Sequence, residues 1–390
     1  MKGGKLIAEG GYGCIFHPGI NCDGKEMKTK KYASKIQRMS SSAKNEIQIG
    51  NILKNINGYE NHFAPIIKHC QIDIAKIKNN KSKTNCSIIK KSKSKDFILM
   101  KLPFINGIDF IDYLINQKNS IQIVDNIINS YNHLVRSCQI LVNKSVLHYD
   151  IKGTNILFDI NKQHPLLIDF GLSIDMSKKY TQKFLKNMFY VYAPQYYIWP
   201  LEIHYLSYLI NNTKEPSNDE LKEIANLFVK QNTALQKNFS KDFLQKYNDL
   251  CFKQLVKYNE IEFDDRINKI MKYWKTFDNY SISIMYLKFL KVININGFKN
   301  NKFIIFFSEL LLQNIHPNPE KRLSLINTIH TFNAFLYEKN LNNITTFGEL
   351  TDGIVKNRQE INENLYLQKK KGLLDTKTIK ILKRKYLKKE

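Results

Sequence analysis

Apolar residues recur along this chain in two rhythms. Lys5-Leu6-Ile7-Ala8-Glu9 and Cys14-Ile15-Phe16 flank the glycines Gly10, Gly11 and Gly13, a pattern that reads as strand, glycine turn, strand. Further short apolar runs predict strands at Tyr32-Ala33-Ser34-Lys35-Ile36, Phe97-Ile98-Leu99-Met100, Val146-Leu147, Ile156-Leu157-Phe158 and Leu166-Leu167-Ile168. Elsewhere the spacing is helical. Ser40, Ser41 and Ser42 offer caps for a helix carrying Glu46, Ile49, Ile52 and Leu53. From Ile121 to Val142 the set Ile123, Ile127, Tyr131, Leu134, Cys138 and Leu141 predicts a long helix with a buried stripe. Leu221, Ile224 and Phe228, then Phe243, Tyr247 and Leu250, predict two more. Between Lys76 and Lys95 the chain is dense in Lys, Ser and Asn and reads as a solvated loop between two strands.

Composition narrows the class. At 390 residues the chain can bury a sizeable core in two or three packed units. With 43% apolar and 24% charged residues it is not a disordered chain. Its formal charge of +25 would draw it to nucleic acid, anionic membrane or acidic proteins. An AT-rich coding sequence would also enrich Lys, Asn and Ile, and that plainer reading carries equal weight. The six cysteines, Cys14, Cys22, Cys70, Cys86, Cys138 and Cys251, form no Cys-x-x-Cys pair, so reduced thiols in an intracellular protein are expected. Met1 to Lys5 lead straight into a strand, so no signal peptide is expected. The most apolar run, Phe303 to Leu312, is too short to span a bilayer and contains Glu309, so the chain is expected to be soluble.

Chemistry concentrates in His148-Tyr149-Asp150-Ile151-Lys152-Gly153-Thr154-Asn155 and in Asp169-Phe170-Gly171. Apolar runs flank both segments, so acid and amide groups stand at strand ends beside a cleft. Asp150 and Asn155 are too far apart for one strand face but suit a loop that folds back. Asp169 precedes a glycine that lets the backbone turn sharply. Oxygen ligands of this kind suit Mg²⁺ shared with a substrate's phosphate oxygens.

These two segments resemble the catalytic loop and metal-binding turn of eukaryotic-type protein kinases, whose pattern is His-Arg-Asp-Leu-x-x-x-Asn followed by Asp-Phe-Gly. They occur in the family's order, with nineteen positions from Asp150 to Asp169. The resemblance implies an α+β, two-lobed fold. A small β-rich N-lobe would span residues 1–103 and a larger, mainly helical C-lobe residues 104–339, with a helical insertion at about 205–270 and a basic helical tail at 340–390. It also implies ATP at the seam, with Mg²⁺, or Mn²⁺ in its place, and a protein substrate bearing a Ser or Thr hydroxyl. Asp150 would be the base, Lys152 the lysine against the γ-phosphate, and Asn155 and Asp169 the metal ligands. Lys35 would grip the inner phosphates, held by Glu46; Glu60, beyond Gly58, is the poorer partner. Ala8, Gly10, Gly11, Tyr12, Gly13, Ile15, Ala33, Met100, Lys101, Leu102 and Leu157 would frame the nucleotide, with Met100 as gatekeeper and Lys101 to Pro103 as hinge. His148 is expected to pack structurally, Asp278 to brace the loop from below, and Glu202 to pair with Arg322.

Three positions depart from the family pattern, and a fourth, Lys152, bears on specificity. Ala8 replaces the first glycine of the phosphate loop, and Gln195 stands where a threonine often lies near the base. Tyr149 replaces the arginine that usually meets a phosphorylated activation loop, which implies activity without such phosphorylation. Lys152 stands where tyrosine-specific kinases generally carry Ala, which favours Ser/Thr specificity. A narrower resemblance, from Gly10 to Pro18 and then Cys22, is to kinases of large nucleocytoplasmic DNA viruses, and implies work in host cytoplasm or in the virion.

Two other functions compete with an active protein kinase. A catalytically weak or dead pseudokinase scaffold would bind acidic partners or nucleic acid through the tail, where Lys369-Lys370-Lys371 and Lys383-Arg384-Lys385 cluster. Ala8, Tyr149 and Gln195 favour it, while Lys35, Asp150, Asn155 and Asp169 together oppose it. A small-molecule kinase would share the His-x-Asp and Asn elements, but not the full Asp-Phe-Gly turn with Glu202 and Arg322.

Overall fold

Alternating apolar positions fold the first hundred residues into one antiparallel sheet. In the computed structural model, residues 4–10, 13–77, 85–90, 96–115, 120–212, 214–295 and 302–337 are described. Gly11, Tyr12, much of the Lys-rich 76–95 stretch and the 340–390 tail lie outside them. Strands β1 (Lys5–Glu9), β2 (Gly13–His17), β3 (Tyr32–Arg38), β4 (Lys68–Ile72) and β5 (Phe97–Pro103) take the spatial order β1-β2-β3-β5-β4. One face of the sheet packs Cys14, Phe16, Ile36, Ile72, Phe97 and Leu99 into a small core. On the other side, Ile98 and Met100 pack with Ala43 and Ile66. Ala43 belongs to helix α1 (Ser41–Lys54), which begins where the Ser40 hydroxyl accepts a hydrogen bond from the Ala43 N–H.

Two expectations change in this lobe. Four of the cysteines are not free thiols, because Cys14 is bonded to Cys86 and Cys22 to Cys70. These partners lie 72 and 48 residues apart in sequence, so no local cysteine spacing could mark them; the folded sheet brings them together. Cys138 and Cys251 are free and buried. The Lys-rich stretch is also not solvated throughout: Ile77, Cys86 and Ile89 are buried in the small core, the last on the short helix α2 (Ser87–Lys90). Its few apolar residues dock on the sheet while the lysines around them set the composition.

The rest of the chain is mainly helical. After β6 (Gly107–Asp109) and α3 (Phe110–Ile115) comes the predicted long helix, α4 (Ser120–Asn143). Beyond it, β7 (Val146–Leu147), β8 (Ile156–Asp159), β9 (His164–Leu167) and β10 (Ile174–Asp175) form two small sheets, β6-β8-β9 and β10-β7. Next come α5 (Gln182–Met188), α6 (Leu201–Asn211), α7 (Asn218–Lys230), α8 (Thr233–Gln236), α9 (Lys241–Asn259) and α10 (Phe263–Met271). Helices α11 (Phe277–Ile295), α12 (Lys302–Asn314) and α13 (Leu325–Tyr337) complete the described chain. Tyr131 of α4 anchors the large core, meeting Tyr286 and Phe307 edge-on at 5.1 and 5.0 Å. On α9 the buried stripe runs through Tyr247, Cys251 and Leu255, and Leu250 faces outward instead of joining it as expected. Among the described residues, no helix is long and apolar enough to cross a membrane.

A fully buried ion pair ties this lobe together. The Arg322 guanidinium donates to both carboxylate oxygens of Glu202 at 2.6 and 2.9 Å, and its Nε donates to the His316 carbonyl at 2.7 Å. Removing one partner of such a pair leaves an uncompensated buried charge, which costs about 3–5 kcal/mol. Arg322→Met is therefore expected to destabilise the chain by that order, and Glu202→Leu added to it to restore much of the loss, as urea unfolding of the two variants will measure.

Candidate active site

The site assembles around the loop after β7. This loop is pinned from below by Asp278 of α11, a fully buried carboxylate that accepts from the backbone N–H groups of His148 (2.8 Å) and Tyr149 (3.0 Å). Burial raises the Asp278 pKa, and the two N–H bonds oppose that rise. Tyr149 holds a left-handed backbone, φ 70°, a conformation that costs a non-glycine residue about 1–3 kcal/mol unless its surroundings hold it there. The surroundings do so. Its ring stacks on Trp199 at 4.6 Å and meets Phe189 edge-on at 5.5 Å, and the Trp199 indole N–H donates to its carbonyl at 2.6 Å.

Asp150 follows, and three side chains converge on it. Lys152 Nζ donates to both carboxylate oxygens, at 3.1 and 2.9 Å. Asn155 Nδ2 donates to Oδ2 at 2.8 Å and to the Asp150 carbonyl at 2.9 Å. The Tyr196 hydroxyl donates to Oδ1 at 2.8 Å. The fold-back expected of Asp150 and Asn155 thus closes as a hydrogen-bonded loop.

Across the cleft, Lys35 lies 2.8 Å from Glu46 and 3.3 Å from Asp169. Burial works against its ammonium, but the charges of Glu46 and Asp169 outweigh it and hold the Lys35 pKa above its usual value. Burial raises the Glu46 pKa in spite of Lys35, whereas at Asp169 the lysine outweighs burial and the pKa is lowered. Asp169 also holds a positive φ of 60°. Behind it Phe170 is buried against His148 and Phe63, and Ser42 and Asn45 of α1 donate to the Gly171 carbonyl. Helix α1 therefore holds both Glu46 and the turn that carries Asp169.

The strand register places most of the expected nucleotide residues together. Ala8 pairs with Ile15, Ile15 with Lys35, and Lys35 with Met100, a single row across β1, β2, β3 and β5. Ala33 and Leu102, paired two positions away, share that face because side chains alternate along a strand. Gly13 sits where a Cβ would meet the Ile36 carbonyl at 2.9 Å, so only glycine fits. Gly10 precedes it, its N–H bonded to the Gly13 carbonyl. Leu157 on β8 belongs to the helical lobe. Lys101 is still inside β5: its carbonyl accepts from Ile67 and its ammonium lies over the Tyr32 ring, leaving Leu102 and Pro103 at the strand end.

Sequence reasoning missed Tyr196. Attention to its neighbour Gln195, the position of the family's threonine, marked the right segment, and no spacing rule indicates which of two adjacent side chains turns inward.

A five-stranded sheet over a helical lobe, with a lysine–glutamate pair facing a looped aspartate, defines the two-lobed protein kinase fold. The protein kinase domain family matches residues 2–197, half of the chain, and the chain belongs to that family. Among solved structures it is similar to the autoinhibited serine kinase domain of the giant muscle protein titin, at 15% identity and a TM-score of 0.41, over 88% of this chain and 81% of that one. No curated protein matches it.

Buried imidazoles around this framework make it sensitive to acid. Burial lowers the pKa of His204, which packs near Trp199 and Phe228, to about 3, and that of His62 to about 4. Both are neutral in the fold at pH 7, so below an unfolded pKa of about 6.5 the unfolded chain binds more protons. The stability they contribute is complete above that value and is lost as pH falls toward 4 and 3. At about pH 5 the fully buried His204 alone accounts for roughly 2 kcal/mol. Thermal melts are expected to show a lower Tm at about pH 5 than at about pH 7.5, with a smaller drop in His204→Phe.

Proposed function

We propose that this chain is an active Ser/Thr protein kinase that moves the γ-phosphoryl group of ATP to a protein hydroxyl. The observation that carries this reading is the set of contacts across the cleft, with Lys35 between Glu46 and Asp169 on one side and Asp150 joined to Lys152 and Asn155 on the other. Phosphoryl transfer needs positioning and charge neutralisation more than a strong nucleophile, and these groups supply both. Lys35 would hold the inner phosphates, with Glu46 fixing its direction. The sheet face of Ala8, Ile15, Ala33, Met100 and Leu102 would cover the base and ribose, Leu157 would lie below them, and the glycine turn would close over the phosphates. Asp150 would orient the acceptor hydroxyl and take its proton, while Lys152 stabilises charge on the outermost phosphate.

Asn155 and Asp169 fit a divalent cation. The Asp169 side chain is 46% exposed, and the Asn155 amide nitrogen is engaged by Asp150, which leaves its oxygen as the donor atom. Hard oxygen donors of this kind suit Mg²⁺, with Mn²⁺ as a substitute, and the bound cation would neutralise phosphate charge. Lys152 supports Ser/Thr over Tyr acceptors. The viral reading, with work in host cytoplasm or virion, rests on the Gly10-to-Pro18 and Cys22 resemblance alone, and contact of the basic tail with acidic protein or nucleic acid rests on charge.

The test is transfer of labelled phosphate from Mg-ATP to a protein acceptor. Asp150→Ala and Asp169→Ala are each expected to lower the rate by about a hundredfold or more; unaltered transfer in either variant overturns the reading.

Tyr149 supports a second statement about this activity. Where an arginine would require a phosphate partner, Tyr149 is already clamped by Trp199 and Phe189. Protein stripped by phosphatase is expected to transfer phosphate at its full initial rate; a lag, removed by prior incubation with ATP, would show that a phosphorylated segment is required.

A further inference from the structure

An ionised carboxylate offers about four acceptor positions. At Asp150 all four are taken: Oδ1 by Tyr196 and Lys152, Oδ2 by Lys152 and Asn155. While all three donors stay, a substrate hydroxyl that must donate to this carboxylate has no position left; a Lys152 that turned to the outermost phosphate would still leave the Tyr196 hydroxyl on Oδ1.

The three donors are not equally free to leave. Asn155 is buried and held by a second bond to the Asp150 carbonyl. Lys152 is a cation chelating both oxygens, two positions along the same loop. Tyr196 contributes one neutral O–H bond. It is half-buried and lies between α5 and α6, where residues 189–200 form neither helix nor strand. Its ring rests edge-on against Trp199 at 4.9 Å. Burial, then the charge of Asp150, raises the phenol pKa, so the group keeps its proton and acts as a donor.

We propose that Tyr196 is a gate on the acceptor site: its hydroxyl occupies the Asp150 oxygen that an incoming Ser or Thr hydroxyl uses, and a protein substrate must displace it before transfer. The gate rests on the kinase reading for its purpose, but its occupancy can be measured without turnover. It acts on the acceptor and leaves the nucleotide alone, because no bond joins Tyr196 to Lys35, Glu46 or Asp169 among the described contacts.

The variant is Tyr196→Phe, which removes the hydroxyl and keeps the ring against Trp199. Tyr197→Phe is the control: its hydroxyl bonds Thr233 and does not touch Asp150. Two measurements on the full chain use dephosphorylated casein as the probe. One is steady-state transfer from Mg-ATP. The other is the casein dissociation constant, read by fluorescence anisotropy with a non-hydrolysable ATP analogue and Mg²⁺. Tyr196→Phe is expected to lower both the casein KM and its dissociation constant by about three- to tenfold, the size of one hydrogen bond. The KM for ATP and both casein values of Tyr197→Phe are expected to stay as in the parent. Casein binding that is unchanged or weaker in Tyr196→Phe overturns the gate. A fall in kcat at constant KM also overturns it, since Tyr196 would then be holding Asp150 in a productive orientation. Tighter casein binding with no transfer by either protein upholds the gate and sinks the kinase reading; transfer by the parent with unaltered binding does the reverse.

Discussion

A single buried carboxylate sets the shape of the catalytic loop. Asp278 lies inside the helical lobe, where an unpaired charge would be prohibitive, and its two oxygens are satisfied by the consecutive N–H groups of His148 and Tyr149. Accepting from two adjacent amides fixes the direction of the backbone at that point, and Tyr149 takes up the resulting left-handed turn. Everything downstream inherits that direction. Asp150 emerges toward the cleft, Asn155 folds back on it, and the Ile168 N–H bonds the Asn155 carbonyl, which places the Asp169 turn alongside. The Ser173 hydroxyl closes the circuit by donating to the His148 carbonyl.

The upper wall of the cleft obeys a different constraint. A β-sheet places directly paired residues on one face, so a lysine in the middle of β3 brings Ile15 and Met100 beside it without further specification. A lysine so enclosed must find counter-charge. Glu46 comes from α1, the helix packed on that same face through Ala43. Asp169 comes from the opposite lobe. The ion pair therefore registers the sheet to the helix, and the second contact registers both to the catalytic loop.

Much of this was legible in the sequence because it depends on local signals. Strand runs, the helix through Ile123 to Leu141 and the fold-back of Asp150 and Asn155 announce themselves locally, while the place of Asp169 beside them and the Lys35–Glu46 pair came through the family resemblance. Long-range contacts were not. The pairings Cys14–Cys86 and Cys22–Cys70 depend on strands that meet only in the folded sheet. Ile77 and Ile89 were hidden by the lysines around them, since composition averages over a window while burial is decided residue by residue. Leu250 fails for a related reason: helical spacing fits both Leu250 and Cys251, and only packing decides which faces inward.

Tyr149 shows how one substitution alters the physics of a shared framework. An arginine at this position would be a buried cation in need of an anion, and the surrounding segment would order only when that anion arrived. A tyrosine removes the charge and adds an apolar plate. Its contacts with Trp199 and Phe189 are each worth about 0.5–1.5 kcal/mol beyond the area they bury. The bond from the Trp199 indole to the Tyr149 carbonyl adds direction. Packing of this kind is insensitive to salt and needs no modification, so the segment from α5 to α6 is held against the catalytic loop as soon as the chain folds. Trp199 also supports the Tyr196 ring at 4.9 Å, so the ring that clamps Tyr149 is the same one that rests against the phenol bonded to Asp150. On the proposed reading, control of this site would pass from a charge added to the activation segment to a hydroxyl already on it.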